Sequence, residues 1–272
     1  MTTAPERQLV ALDVATDAGF GARARVGLVV LENDQTVEAE LASLWPDGVA
    51  AFATRIPMED RVTPETLRAM EARIPDAAGL LPAALGIDVL GYGCTSASTL
   101  IGEQRVADAL RVAHPDVPNT NPISAVLAAL SALDARSVAV VTPYSAEVTA
   151  GIVGLLADRG LDVVAAGSFL EESDATVARI TEASVADAVR RMVAHAEAAG
   201  GGRPDAVFVS CTSLRAFGVA GALEDELGVP VVSSNLAFGW HLLRLAGIDD
   251  AVDGLGRLYG LGLDGRPVGS GS

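Results

Sequence analysis

The segment Gly86–Thr99, GIDVLGYGCTSAST, runs from apolar residues through a cysteine into a row of small hydroxyl residues. The segment Pro204–Phe217, PDAVFVSCTSLRAF, repeats this order and contains the same tripeptide Cys-Thr-Ser. A short apolar run bounded by turn residues is typical of a buried strand in a parallel sheet. The two segments therefore predict two equivalent strands, each followed by a cysteine at its carboxyl end.

Strand and helix patterns alternate along the rest of the chain. Apolar segments predict strands at Arg25–Leu31, Val49–Thr54, Ile87–Leu90, Val138–Val141, Leu161–Ala166, Ala206–Val209 and Val229–Val232. Helical patterns cover 32–44, Pro64–Leu85, Leu100–Val112, Ser124–Leu133, Ala146–Asp158, Val185–Ala199, Ala216–Leu227 and Leu236–Leu245. This alternation predicts an α/β fold with parallel sheets that are covered by helices on both faces.

The two halves of the pattern match at near-constant offsets of 112 to 117 residues, which indicates an internal duplication. We therefore expect two pseudo-symmetric lobes, each a parallel-sheet αβα sandwich, with an active site in the cleft between them. The expected divisions are an N-terminal arm (1–24), a first lobe (25–121 plus 233–272, with a C-terminal helix that returns to it) and a second lobe (122–232). The arm and the tail Gly262–Ser272 are expected to be poorly ordered.

Composition excludes several classes of function. The chain of 272 residues has a formal net charge of −16, which repels nucleic acid and anionic lipid surfaces. It contains no lysine, which excludes a Schiff-base lysine and a P-loop lysine. Without a signal-peptide pattern or an apolar run long enough to span a membrane, we expect a cytoplasmic protein whose two cysteines are free thiols.

The two cysteines are the strongest candidates for chemistry. In open α/β sheets, ligands bind beyond the carboxyl ends of the strands, where helix N-termini direct amides at them and lower the pKa of a nearby thiol. A single buried cysteine is more often a small core residue. The same tripeptide at matching points of two lobes, however, predicts thiols that face each other across a cleft, as a two-base proton transfer requires.

Four segments make the chain similar to a known family: GYGCTSASTLIGE (91–103), VVTPYSAEV (140–148), DATVARI (174–180) and VFVSCTSLRAF (207–217). Over about Arg25–Leu245, the sequence resembles the aspartate/glutamate racemase superfamily and, within it, the maleate cis-trans isomerase and arylmalonate decarboxylase branch. The resemblance implies a cofactor-independent enzyme in which Cys94 and Cys211 are the catalytic pair. It also implies a carboxylate site and a tyrosine that donates a hydrogen bond to the substrate, formed by Thr95, Ser96, Thr212, Ser213 and Tyr144. The decarboxylases keep only the second cysteine, so their reaction fits less well.

Two positions depart from the maleate isomerase pattern. Asp34 and Asp174 stand where those enzymes have asparagines, and an aspartate repels a second substrate carboxylate. Unless they are ordinary turn or N-cap residues, the pair favours a substrate with a carboxylate at one end and an ammonium at the other. The pattern also resembles the ectoine-utilisation branch, whose members are associated with breakdown of ectoine to diaminobutyrate-type intermediates.

The remaining candidates are weaker. His114, His195 and His241 have no metal-ligand spacing, so we expect structural or surface roles and no metal. Arg215 could stabilise the Cys211 thiolate or a carboxylate, or could be an ordinary helix arginine. The sequence thus predicts an isomerase or racemase, acting as a homo-oligomer on a small carboxylate or amino acid. The alternatives are a maleate isomerase or arylmalonate-type decarboxylase, a non-catalytic small-molecule binding protein and, least favoured without a Cys-x-x-Cys pair, a thiol redox protein.

Overall fold

The computed structural model describes residues 10–59 and 61–269. Within these ranges, eight strands form two four-stranded sheets in which all neighbouring strands are parallel. The strand order is β2-β1-β3-β4 in the first sheet and β6-β5-β7-β8 in the second. Because the second sheet repeats the order of the first, the predicted α/β fold of two similar parallel-sheet lobes is confirmed.

The first sheet consists of β1 (Ala24–Leu31), β2 (Val49–Ile56), β3 (Val89–Gly93) and β4 (Asn119–Thr120). The second consists of β5 (Ser137–Thr142), β6 (Asp162–Ser168), β7 (Ala206–Val209) and β8 (Val231–Ser233). The four central strands, β1, β3, β5 and β7, are almost entirely buried. Burial on both faces explains why these strands have continuous apolar sequences.

The helices lie between the strands. They are α1 (Val37–Ala42), α2 (Pro64–Ala69), α3 (Ile74–Gly79), α4 (Thr95–Ile101), α5 (Glu103–Ala113), α6 (Pro122–Ala132), α7 (Ala146–Asp158), α8 (Asp174–Val177), α9 (Glu182–Ala198), α10 (Phe217–Leu227) and α11 (Ser234–Leu245). The single helix predicted over Pro64–Leu85 is wrong, because a 3₁₀ turn at Met70–Arg73 separates α2 from α3 and Pro82 lies beyond them in extended backbone. The helix predicted from Leu100 starts at Thr95 instead and is interrupted at Gly102.

Helix α11 connects the end of the second sheet to the first. It contacts β3, β4 and α6, and the ring of Phe238 lies directly over Gly91 of β3. Residues 262–269 of the C-terminal tail differ from the expectation of poor order, since Gly262 and Val268 make backbone hydrogen bonds to Arg266 and Gly260, whereas residues 270–272 lie outside the described residues. The expected arm lies partly outside the described residues, because these begin at residue 10. The lobe boundaries stay a prediction.

In the part of the chain that the structure describes, no helix combines the length and the apolar character needed to cross a membrane.

Candidate active site

The predicted site residues all follow the carboxyl ends of strands. Carboxyl ends of parallel strands meet at one edge of a sheet, where ligands bind in open α/β folds. In chain order, the strands that precede these residues are β1 for Asp34, β3 for Cys94 with Thr95 and Ser96, β5 for Tyr144, β6 for Asp174, and β7 for Cys211 with Thr212 and Ser213. Every one of these side chains is buried.

The two Cys-Thr-Ser segments come from different sheets and are joined by one hydroxyl. Ser234 Oγ accepts a hydrogen bond from Thr95 Oγ1 (2.8 Å) and another from the Cys211 amide (3.0 Å). In addition, Thr212 Oγ1 donates to the Gly93 carbonyl (3.4 Å). The structure therefore brings both cysteine segments together, as the repeat predicts.

Ser234 was not among the site residues predicted from the sequence, although the sequence contains a signal for it. Ser233–Asn235 is a polar segment at the end of a strand, and it matches Asn119–Asn121 in the first half of the chain. That match indicated the duplication, but it did not show which hydroxyl faces the cysteines. The hydroxyl protons of Thr95 and Thr212 have protein acceptors, so their binding of a substrate carboxylate stays a prediction.

Behind the Cys211 segment lies a second polar network that the sequence did not reveal. Asn235 Nδ2 donates to the Thr212 carbonyl (2.8 Å) and to Glu40 Oε2 (2.6 Å). Glu40 Oε1 accepts from the amides of Ala216 and Phe217, both at 3.2 Å. Burial raises the pKa of Glu40 to about 7, against the effect of these donors. Helix α1 of the first lobe thus supports the loop that carries Cys211.

Both thiols are buried. Burial raises the pKa of a thiol, whereas a helix N-terminus was expected to lower it. Burial raises the pKa of Cys94 to about 11, although the Ala97 amide and the Ser96 hydroxyl oppose this. Burial also raises the pKa of Cys211, and the negative charge of Asp174 raises it further. The prediction of lowered thiol pKa values is therefore wrong. Only Cys94 precedes a helix directly, and that helix has seven residues, whereas α10 begins only at Phe217.

Tyr144 is buried close to the Cys211 side chain, and each of the two groups affects the pKa of the other. Its own pKa is raised, mainly because it is buried, so its hydroxyl stays protonated at neutral pH. Cys211 has a φ of 116°, a backbone conformation that residues other than glycine rarely adopt. Such strain is concentrated at functional sites, where the surrounding structure holds it in place.

Asp34 lies two residues before Thr36, the N-cap residue of helix α1. Its Oδ1 accepts hydrogen bonds from the amides of Thr36 (2.8 Å) and Val37 (2.9 Å). Its Oδ2 accepts from the Ser213 hydroxyl at 3.4 Å. The sequence allowed an ordinary turn or N-cap aspartate or a substrate-binding one, and the Oδ1 contacts are those of a turn aspartate.

Asp174 has a different environment. Its Oδ2 is buried, and no group among the described residues donates a hydrogen bond to it. Burial raises the pKa of Asp174 to about 6, while the nearby Ser213 hydroxyl lowers it and the charge of Asp34 raises it. Both aspartates line a cavity of about 630 Å³, together with Glu32, Asn33, Gln35, Arg55, Ser173 and Ala175. The thiols do not line this cavity. The geometric link between them is Ser213, which lies two residues after Cys211 and donates its hydroxyl proton to Asp34 Oδ2.

The weaker candidates have structural contacts. Arg215 donates to the Ile180 carbonyl (3.0 Å) rather than to a thiol. His114 Nε2 lies 3.1 Å from the Ala78 carbonyl oxygen, His241 Nδ1 lies 2.8 Å from Thr120 Oγ1, and His195 is exposed on α9. Across residues 10–59 and 61–269, no group of three or more histidine, cysteine, aspartate or glutamate side chains could hold a metal ion.

Comparison with known proteins identifies the family. Residues 26–259 match the family model described as arylmalonate decarboxylase. The chain is 33% identical to the arylmalonate decarboxylase of Bordetella bronchiseptica over 239 residues, which cover 86% of this chain and 95% of that protein. It is 30% identical to the maleate isomerase of Nocardia farcinica over 250 residues, which cover 86% of this chain and 94% of that protein.

Solved structures have the same architecture. A cysteine-to-serine mutant of the Nocardia farcinica maleate cis-trans isomerase, with a covalently bound succinylcysteine intermediate, matches with a TM-score of 0.77 and 28% identity over 87% of this chain and 98% of that one. A double mutant of arylmalonate decarboxylase in the liganded form matches with a TM-score of 0.75 and 31% identity over 86% of this chain and 98% of that one. In this mutant a glycine is replaced by cysteine and a cysteine by serine. With the family model matching most of its length, this chain belongs to the arylmalonate decarboxylase family.

Proposed function

We propose that the protein is a cofactor-independent isomerase or racemase in which Cys94 and Cys211 act together next to a substrate carboxylate. The observation that carries this proposal is the Ser234 hydroxyl, which ties the two Cys-Thr-Ser segments of different lobes into one site. Isomerases that act on a small dicarboxylate are among the relatives, which supports this class of reaction.

In a racemisation, the thiolate of one cysteine removes the proton from the carbon next to the carboxylate. The thiol of the other cysteine then delivers a proton to the opposite face of the planar intermediate. The product has the inverted configuration, and the two sulfurs have exchanged protonation states. Tyr144, as a protonated donor beside Cys211, can stabilise the negative charge that develops on the intermediate.

A cis-trans isomerisation uses the same two groups differently. One thiolate adds to an alkene carbon, and the second thiol donates its proton to the neighbouring carbon. After rotation about the carbon–carbon bond, the second sulfur takes a proton back and the first thiolate leaves, which gives the trans alkene. The 30% identity to a maleate isomerase supports this alternative. Arylmalonate-type decarboxylation is supported by the 33% identity to a decarboxylase, but its one-cysteine chemistry leaves Cys94 without a role.

For the substrate, we propose a small amino-acid-like carboxylate, such as a diaminobutyrate derivative of the kind associated with ectoine breakdown. The acidic side chains at the cavity support this choice over a dicarboxylate, because like charges repel inside a poorly solvated site.

Alkylation by iodoacetamide, mapped by mass spectrometry, tests the two-cysteine site. We expect alkylation of Cys94 or Cys211 to abolish turnover, and a bound carboxylate substrate to slow the labelling. In the free protein, the labelling rate should still increase above about pH 9, because burial raises the pKa of both thiols. If both cysteines of the folded protein react at the rate and with the pH dependence of the urea-unfolded chain, the proposal is wrong.

A further inference from the structure

We infer that Asp174 binds a primary ammonium group of the substrate, and that this cation makes it easier for a thiol in the site to lose its proton. The inference rests on the proposed function, because it concerns the end of the substrate that lies opposite to the carboxylate bound at the cysteines.

The first observation is the unpaired oxygen. Asp174 is 9% exposed, and its Oδ2 has no hydrogen-bond donor among the described residues. Other carboxylates withdrawn from solvent have partners: Asp34 accepts from two amides, Glu40 from two amides and Asn235, and Glu224 pairs with Arg257 at 2.8 Å. A buried carboxylate without a partner is unfavourable, so a group that completes its contacts binds there with a gain in free energy.

No basic side chain among the described residues pairs with Asp174. Arg55 is the basic residue that lines the same cavity. Its guanidinium donates to the carbonyls of Leu31, Glu32 and Asp34 and pairs with the carboxylate of Glu38. Among the ion pairs of the described residues, none includes Asp34 or Asp174. The positive charge that complements Asp174 therefore comes from the ligand.

The free acceptor also limits the kind of cation. Asp34 Oδ1 is occupied by the first amides of α1, and Asp174 offers one unpaired buried oxygen. A guanidinium prefers two parallel acceptors, whereas an ammonium is a compact point charge that can use a single one. A second substrate carboxylate in this position would face Asp174 and Asp34 and would be repelled.

The charge of Asp174 also acts on the chemistry. Its carboxylate raises the pKa of both Cys94 and Cys211, in addition to the larger effect of burial. An ammonium bound to Asp174 offsets this charge, so the bound substrate itself favours thiolate formation. Ligands without the cation leave the charge of Asp174 unopposed, so the effect is selective for amino-bearing substrates.

The test uses three four-carbon acids that differ only at the far end: 4-aminobutyrate, succinate and butyrate. Isothermal titration calorimetry would compare the wild type, Asp174→Asn and the control Glu172→Gln, which removes an exposed charge two residues away. We expect the wild type and the control to bind 4-aminobutyrate roughly tenfold or more tightly than succinate or butyrate. Asp174→Asn should lose this preference. A wild type that prefers succinate, or an Asp174→Asn variant that retains the preference for the amine, overturns the inference.

A second measurement needs no ligand. Thiolate absorbance in the ultraviolet, followed during a pH titration, should show a lower midpoint in Asp174→Asn than in the wild type, and an unchanged midpoint in Glu172→Gln. An unchanged midpoint in Asp174→Asn contradicts the electrostatic coupling. If these tests fail while serine variants of either cysteine still lose turnover, the ammonium site is wrong and the two-cysteine function stands.

Discussion

The contact between the two cysteine segments depends on a single side-chain hydroxyl, that of Ser234. Ser234→Ala would leave the buried Cys211 amide and Thr95 hydroxyl without their acceptor. We expect the variant to lose about 1–3 kcal/mol of unfolding free energy in urea denaturation, the cost of unsatisfied buried donors. Ser98→Ala is the control, because the Cys94 carbonyl that accepts from the Ser98 hydroxyl keeps its bond from the Ser98 amide. A loss in Ser234→Ala no larger than in the control would contradict the assigned role.

Asp34 provides a second test at this scale, since it separates helix capping from ligand binding. Asp34→Ala removes the acceptor for the Thr36 and Val37 amides and should lower the unfolding free energy by about 1 kcal/mol. Asp34→Asn keeps a side-chain oxygen and should retain most of this stability. Thermal unfolding of both variants measures these losses of stability. Equal losses in the two variants would show that α1 requires the charge of Asp34 and not the hydrogen bonds that its oxygen accepts.

Single residues also show what the sequence could predict. The repeated Cys-Thr-Ser tripeptide identified two segments that the structure joins, because an exact repeat at matching strand ends is a local signal. Ser234, Glu40 and Asn235 were not predictable, since their importance comes from contacts between segments far apart in the chain. The direction of the thiol pKa shifts was also beyond the sequence, because it depends on burial and on the two aspartates.

At the scale of elements, the packing of α11 on β3 requires a glycine. A Cβ at Gly91 would lie 2.4 Å from Phe238 Cζ, whereas a Cβ at Gly93 would meet its nearest neighbour at 3.6 Å. We expect Gly91→Ala to lower the unfolding free energy by about 1–3 kcal/mol, as is usual when a packed core is overfilled. Gly93→Ala in the same strand should change it much less. Similar melting temperatures for the two variants would contradict this packing.

The elements that were predicted imperfectly have identifiable causes. Pro75 lies in the first turn of α3 and Pro82 follows that helix, and both prolines indicate a break in the helix predicted over Pro64–Leu85. The single long helix was predicted because only the spacing of apolar residues was considered. Gly102 has a φ of 96° and separates α4 from α5, which together continue one helical pattern. Strand β4 has two residues and α8 has four, both too short for a periodic signal.

For the whole molecule, the pH dependence of stability reports the unpaired carboxylate. Burial raises the pKa of Asp174 from 3.8 to about 6, so the folded protein retains a proton that the unfolded chain releases. This stabilising contribution is present at low pH and is lost as the pH rises from about 4 to about 6. Asp174→Asn should therefore be more stable than the wild type by about 3 kcal/mol at about pH 8, with little difference at about pH 4.

Urea denaturation at several pH values measures this difference, with Glu172→Gln as the control for loss of a charge. Glu40, whose pKa is also raised, is present in all three proteins and cancels in the comparison. A difference between Asp174→Asn and the wild type that does not change with pH would show that the carboxyl group is not held in an unfavourable buried state.

Proton NMR in D₂O tests the central claim, that both thiols take part in one reaction on a small carboxylate. The wild type, Cys94→Ser and Cys211→Ser would each be incubated with maleate, L-aspartate, L-2,4-diaminobutyrate and phenylmalonate. Cis-trans isomerisation produces a new alkene signal, whereas racemisation removes the signal of the proton next to the carboxylate by exchange with deuterium. Serine is similar in size to cysteine but a far weaker acid and nucleophile at neutral pH. We predict turnover of at least one compound by the wild type and none by either serine variant, with unchanged melting temperatures; turnover by a folded Cys94→Ser or Cys211→Ser variant would contradict the account.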